Sequence, residues 1–216
     1  MDKIRTSKKQ LKSLLSYDWW KYLIMAVLIS IVSYYGFTLK HALKGYEQLT
    51  IFTSALVNDS SIIDEIKNET KDEGILNVSI IEAEEQDTYF EIKLETNGYG
   101  GSDVLILSES FLNNENSFEV VRHSLIFNDD FKKEISTFAP LVEYKDYEEN
   151  EFALKIFDKE NTEYFANNIF SSWLTMDETY YLIFVRDSLN LGIYGSQSSN
   201  EHDACIKMVK YLFERK

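Results

Sequence analysis

The sequence predicts an α/β protein: one N-terminal membrane-crossing helix followed by one three-layer α/β domain. Three observations carry this expectation. An uncharged run of 18 residues lies between Lys21 and Lys40. Strand-like and helix-like segments then alternate with short connections. The charge changes sign where the uncharged run ends. Of the 22 Lys and Arg and 36 Asp and Glu residues in this 216-residue chain, eight basic and two acidic residues fall in 1–44, a net of +6. The 14 basic and 34 acidic residues that remain give 45–216 a net charge of −20. So acidic a domain repels phosphate backbones, which excludes nucleic acid as its partner.

The uncharged run YLIMAVLISIVSYYGFTL would span about 27 Å as a helix, close to the thickness of a hydrocarbon core. Trp19, Trp20 and Tyr22 at one end and Tyr34, Tyr35 and Phe37 near the other resemble interfacial belts. Lys3, Arg5, Lys8, Lys9, Lys12 and Lys21 precede the span and only Lys40 and Lys44 follow it, so the positive-inside rule predicts a cytoplasmic N-terminus and an extracellular domain. The chain thus divides into a basic cytoplasmic tail (1–18), a bilayer-spanning helix (19–39), a stalk (40–47) and an extracellular α/β domain (48–216). Residues 3–15 read as a topogenic flank or as a short basic helix on anionic lipid. A cleaved signal peptide is the rival to a retained anchor. No A-x-A pattern stands around Ser33–Ala42 and no cysteine stands just after the span, which favours the retained anchor.

Leu49–Phe52 reads as the first strand. Asn58, Asp59, Ser60 and Ser61 offer N-caps to a helix striped with Ile62, Ile63 and Ile66, and Gly74 suits its end. Ile75–Ile81 reads as the second strand, and Asp87–Asn97 as a helix closed by Gly98–Gly101. Asp103–Leu107 is a continuous apolar run, as expected of a parallel strand buried on both faces. Ser108 begins another short helix. This is the β-α-β-α-β order of a doubly wound sheet. Residues 108–139 read as helical pieces, with Asp129 and Asp130 capping the last before Pro140. Phe152–Phe157 alternates as a strand with Lys155 outward, and Thr179–Val185 reads as a central strand. The closing helix is capped by Asn200, buries Cys205, Met208, Val209 and Leu212 on one stripe, and sets Lys210 and Arg215 at its C-terminal end.

The succession of Tyr89, Phe90, Lys93, Leu94 and Thr96, then Ser102–Leu107, then Phe138–Leu141, then a strand leading through Ser188, Asn190 and Gly192 to a helix containing Ala204, resembles the extracellular solute-binding proteins of ABC importers, with their type 2 periplasmic-binding-like fold. The resemblance covers roughly residues 48–214, in a shortened, membrane-anchored form. It implies a domain like one lobe of such a protein, a Ser102–Leu107 strand bordering a ligand cleft, and a membrane permease as partner.

Chemistry is sparse. His41, His123 and His202 are scattered, and no zinc spacing occurs. Cys205 lies on an apolar stripe and reads as a core thiol. No hydrolase motif is present, so no enzyme, cofactor or metal is expected. The acidic runs Glu82–Glu85, Asp129–Asp130 and Glu143–Glu151 read as solvated faces. Gly98–Gly101 reads as a tight turn, with an anion cradle as the alternative. Open α/β sheets bind ligands beyond the carboxyl ends of their strands. That rule selects Thr53 and Ser54 after the first strand, Ser108 and Glu109 after the third, and Tyr99 nearby as ligand-binding candidates. Their hydroxyls, carboxylate and aromatic ring suit a sugar or a cationic solute. The other reading of Ser108 and Glu109 is that they only start a helix. Two functions remain open: a membrane-anchored extracellular solute-binding-like domain accessory to an ABC importer, or an extracellular interaction domain that docks a permease or sensor and binds no small molecule.

Overall fold

The computed structural model describes residues 8–41, 43–113, 117–140, 142–161, 169–196 and 202–214. The chain forms two units, residues 1–43 and 44–216. The first contains one helix, α1 (Lys8–His41), which includes a window, Trp19–Gly36, long and apolar enough to cross a membrane. None of that window is buried by protein. Ser30 donates its hydroxyl to the Ala26 carbonyl at 2.8 Å, so this polar group is satisfied within the helix. The sequence predicts a tail ending at residue 18 and a stalk beginning at residue 40. The helix runs unbroken across both positions, Gly36 included, and no proline interrupts it.

The second unit is built on a six-stranded sheet. In chain order its elements are β1 (Gln48–Thr53), β2 (Leu56–Val57), α2 (Ser61–Glu69), β3 (Asn77–Glu82), α3 (Phe90–Lys93) continuing into a π-helical turn (Leu94–Tyr99), β4 (Val104–Ser108), α4 (Glu109–Leu112), α5 (Ser117–His123), α6 (Asp129–Phe138), β5 (Tyr144–Tyr147), β6 (Asn150–Phe157), α7 (Ile169–Trp173), β7 (Leu174–Thr175), β8 (Tyr180–Phe184) and α8 (Ala204–Glu214). The strand order is β3-β1-β4-β8-β6-β5, and β2 pairs with β7 in a separate two-stranded sheet. The segments β3, β1 and β4 run parallel, as the β-α-β-α-β reading predicts. From β4 outward every pairing is antiparallel. The sheet is therefore mixed rather than doubly wound throughout. An apolar run buried on both faces is equally compatible with parallel and antiparallel neighbours, so β8 gave no warning of its direction.

Side chains alternate across the strands and make two cores. On one face Ile51, Val104, Ile106, Leu182 and Phe184 pack with α2, α6 and α8. On the other, Phe52, Leu105, Leu107, Tyr181 and Ile183 pack with Phe90, Phe111 and Val120 from α3, α4 and α5. Helices on both faces of one sheet make three layers. The predicted α8 stripe is fully buried at Cys205, Met208, Val209 and Leu212. Burial pushes the Cys205 thiol well above its ordinary value, which suits a core residue and not a nucleophile.

Local details correct several expectations. The cap of α6 is Asn128, whose Oδ1 accepts the Phe131 N–H at 2.8 Å, and Asp129 and Asp130 fall in the first turn. Before α2 the Asp59 carboxylate accepts the Ser61 N–H at 2.8 Å. The Lys155 side chain is mostly covered and pairs with Glu143 and with Asp158 rather than pointing to water. The expected cap at Asn200 and the expected charge at Arg215 lie outside the described residues. Gly98–Gly101 closes the π turn. A Cβ at Gly98 would stand 2.7 Å from Leu94 Cδ1, so close packing accounts for this glycine.

Asp103, just before β4, is buried and ties three strands together. Its N–H donates to the Thr50 carbonyl at 2.8 Å and its carbonyl accepts from Val185 N at 3.0 Å. Its carboxylate accepts the Thr50 N–H at 2.7 Å, the Ser188 hydroxyl at 2.5 Å and the Asn190 amide at 3.0 Å. Burial pushes this carboxyl above its usual range, and the three donors offset only part of that. In Asp103→Asn an amide N–H must face at least one of those donors, so the variant should lose about 1–3 kcal/mol of stability. A raised folded-state pKa means that Asp103's contribution is full below the unfolded value of about 3.9 and is lost as pH rises through the folded value. The gap in urea midpoint between wild type and Asp103→Asn should therefore narrow between pH 4 and pH 7. A gap that widens would show that the three donors outweigh burial.

Candidate functional site at the carboxyl ends of the strands

Three parallel strands end at one edge. Thr53 lies opposite Glu82 of β3 and Ile106 of β4, and β4 runs on to Ser108. Because β8 is antiparallel, it begins at this same edge, with Tyr180 opposite Ser108. The β2–β7 pair lies just beyond. A cavity of about 370 Å³ opens here, and Ser54, Glu84, Glu85, Ser110, Asp177 and Glu178 are among its lining residues. Leu56 and Thr175, from the small sheet, also border it.

The predicted residues divide within this frame. Thr53 is fully buried. Its hydroxyl donates to the Ala55 carbonyl at 3.2 Å and accepts the Ala55 N–H at 3.1 Å, closing the turn that ends β1. Ser54 is 8% exposed and lines the cavity, and its hydroxyl has no hydrogen-bond partner among the described residues. Ser108 is fully buried and caps α4, its Oγ accepting the Phe111 N–H at 3.1 Å. The same hydroxyl donates to Glu85 Oε2 at 2.6 Å, and the Ser108 N–H reaches Glu85 Oε1 at 3.2 Å. Glu109 does not line the cavity. Its carboxylate accepts the Tyr181 hydroxyl at 3.2 Å and pairs with Lys145 at 3.5 Å. Tyr181 and Tyr180 alternate along β8, so the two lie on opposite faces of the sheet.

Tyr99 stands at the other end of β4, about 17 Å away along a strand of five residues. Its ring stacks on His123 with centroids 4.5 Å apart. Together they line a separate hollow of about 350 Å³ with Glu91, Glu95, Glu119 and Arg122. Burial and the nearby carboxylates push the Tyr99 phenol up. Tyr99 therefore does not share a cavity with Ser54.

Sequence reasoning missed Glu85, Ser110, Asp177 and Glu178. The Ser110 hydroxyl donates to Glu178 Oε1 at 2.9 Å and lies 3.0 Å from the Ser108 hydroxyl, so Glu85, Ser108, Ser110 and Glu178 form one chain of polar groups. Glu85 was within reach of the strand-end rule, since it stands three residues after the end of β3. Asp177 and Glu178 precede their strand, and only the reversed direction of β8 brings them to this edge. Among the described residues no group of His, Cys, Asp and Glu could hold a metal ion.

No family model, no curated protein and no solved structure matches this chain.

Ser108→Ala removes a helix cap and a buried partner of Glu85 and should lower stability by about 1–3 kcal/mol. Ser54→Ala removes a hydroxyl with no protein partner and should change stability by less than about 0.5 kcal/mol. Urea unfolding of the two variants checks this contrast. Equal losses would show that the Ser54 hydroxyl has a structural partner.

Proposed function

We propose that this chain is a membrane-anchored extracellular binding module that captures a small solute at the carboxyl-end rim. The observation that carries the reading is a cavity of about 370 Å³ beyond the ends of three parallel strands, bordered by Glu85, Ser110 and Glu178, which Ser108 joins into one chain of polar groups. The resemblance to one lobe of an ABC importer's solute-binding protein supports the same role, with a permease as the partner that receives the solute. The rim is bounded by loops of one domain, so affinity should be modest, about 10 μM or weaker, unless a partner completes the site.

A second reading is an interaction domain that docks a permease or sensor and takes no small molecule. Tyr89, Ile92 and Phe118 are large apolar side chains more than half exposed, and they favour it.

In either reading α1 is a retained anchor with its N-terminus in the cytoplasm. Protease added to intact cells should then remove the domain and leave an N-terminal tag protected. A protected domain would place the protein's work on the other side of the membrane.

The full chain in phosphatidylcholine nanodiscs, screened by thermal shift against sugars, amino acids and polyamines, tests solute capture directly. At least one class should raise the midpoint in a concentration-dependent way. A silent screen, together with co-purification of a membrane protein, would favour the docking reading instead.

A further inference from the structure

We propose that the free edge of β3 pairs antiparallel with β3 of a second copy of this chain, about a two-fold axis at Ser79. The inference is independent of the rim reading.

The six-stranded sheet ends in β3 on one side and in β5 on the other, and the two edges are built differently. β5 is four residues long, carries Lys145 and Asp146 with a bulge between them, and runs into a turn with Glu148 and Glu149 at positive φ. Short length, charge and a bulge are devices that keep an edge strand from pairing further. β3 lacks them. It is six residues long and keeps unbroken register with β1 from Asn77 to Glu82. The stretch Ile75–Ile81 holds no charge, proline or glycine and is rich in β-branched residues, the composition of a strand that pairs readily.

The main chain shows which groups are free. In a parallel ladder alternate residues direct both N–H and C=O to the same neighbour. The Ala83 N–H donates to the Thr53 carbonyl at 3.0 Å, so Ser79 and Ile81 also face β1. Val78, Ile80 and Glu82 therefore present their main-chain groups to the outer side, where no described residue bonds them. Ile80 packs against one core and Ile81 against the other, each only partly covered, as at an unfinished edge.

The strand is its own complement, and this selects a second copy over an unrelated peptide. A two-fold axis at Ser79 sets Val78 opposite the copy's Ile80, apolar against apolar, and lets their outward N–H and C=O groups exchange hydrogen bonds. The one charged residue of the strand, Glu82, falls about 20 Å from its own copy, at the far end of the paired segment. A strip seven residues long, about 23 Å, is small beside a stable soluble interface of about 1,200–2,000 Å². Pairing should therefore depend on the confinement that a bilayer anchor gives.

Disulfide formation in the full chain, reconstituted in phosphatidylcholine liposomes under mild oxidation, tests the register. At the axis the two Ser79 Cα atoms would lie about 4.5 Å apart, within disulfide reach. Ser79→Cys should give a covalent dimer, and wild type, whose Cys205 is fully buried, should not. Asn77→Cys and Ile81→Cys should each stay monomeric, since like positions lie about 13 Å apart, and should cross-link when reconstituted together. Ile80→Pro removes an outward N–H, so it should leave the fold intact and cut Ser79→Cys cross-linking about tenfold. Ile80→Lys puts a charge on the edge and should do the same, which keeps the test sound if the proline variant fails to fold. Cross-linking of Ser79→Cys no greater than that of Ser136→Cys, at an exposed position of α6, would mean chance collision and would overturn the proposal. Equal cross-linking by Asn77→Cys alone and by its mixture with Ile81→Cys would overturn it too, as would Ser79→Cys cross-linking that both Ile80 variants leave unchanged. In native membranes, capture of a different protein by Ser79→Cys in place of a second copy would also overturn it and give the edge to that partner.

Discussion

The fold turns on one buried carboxylate. Asp103 stands where the chain enters β4, between a parallel neighbour, β1, and an antiparallel one, β8. Its main-chain groups bond Thr50 and Val185, and its side chain takes Thr50, Ser188 and Asn190. Asn190 extends the network, donating from Nδ2 to the Gln48 carbonyl at 2.7 Å and accepting the Cys205 N–H on its own carbonyl at 3.0 Å. One residue thus links the start of β1, the start of β4, the end of β8 and the start of α8. Burying a carboxylate is costly, and the raised pKa of Asp103 records that cost. What the cost secures is geometric. A parallel β-α-β unit and an antiparallel β-hairpin can share one sheet only if the strand between them keeps its register on both sides.

The direction of β8 then decides what the opposite edge contains. Had β8 run parallel to β4, its amino end would lie beside Asp103, and Asp177 and Glu178 would lie with it. Reversed, β8 delivers both acids to the edge where β1, β3 and β4 end. Glu85 already stands there, and the Ser108 and Ser110 hydroxyls connect the two sides. The same reversal sets Tyr180 and Tyr181 just inside the rim, one toward each core.

Much of the architecture was legible because it rests on local rules. The apolar helical segment between Lys21 and Lys40, the three parallel strands and the Cys205–Leu212 stripe each follow from periodicity or from an uninterrupted apolar run. Three features were not legible, each for a physical reason. The mixed sheet was hidden because a run such as Tyr180–Phe184 is apolar throughout and carries no mark of direction. The cap of α6 was misplaced because Asn128, Asp129 and Asp130 are all competent acceptors, and only backbone dihedrals choose among them: Asn128 has the extended conformation of a cap. Of the five rim candidates, Ser54 alone borders the rim cavity. Thr53 and Ser108 obey the strand-end rule in position, but their hydroxyls already serve the backbone turn and the helix cap. Glu109 and Tyr99 were separated from the rim by a face and by a strand length, which sequence spacing does not encode.

Where the lysines go bears on the rim more than the net charge does. Lys93 pairs with Asp87, Lys132 with Glu151, Lys145 with Glu109, and Lys155 and Lys207 each with two carboxylates. Such surface pairs contribute little stability each. Their consequence is electrostatic: they neutralise acids elsewhere on the domain and, among the described residues, leave Glu84, Glu85, Asp177 and Glu178 without a basic neighbour lining their cavity. If the acidity served solubility alone, any distribution of the negative charge would do. Here four acids from segments about ninety residues apart in the chain border one cavity. An uncompensated cluster weakens the folded state through self-repulsion.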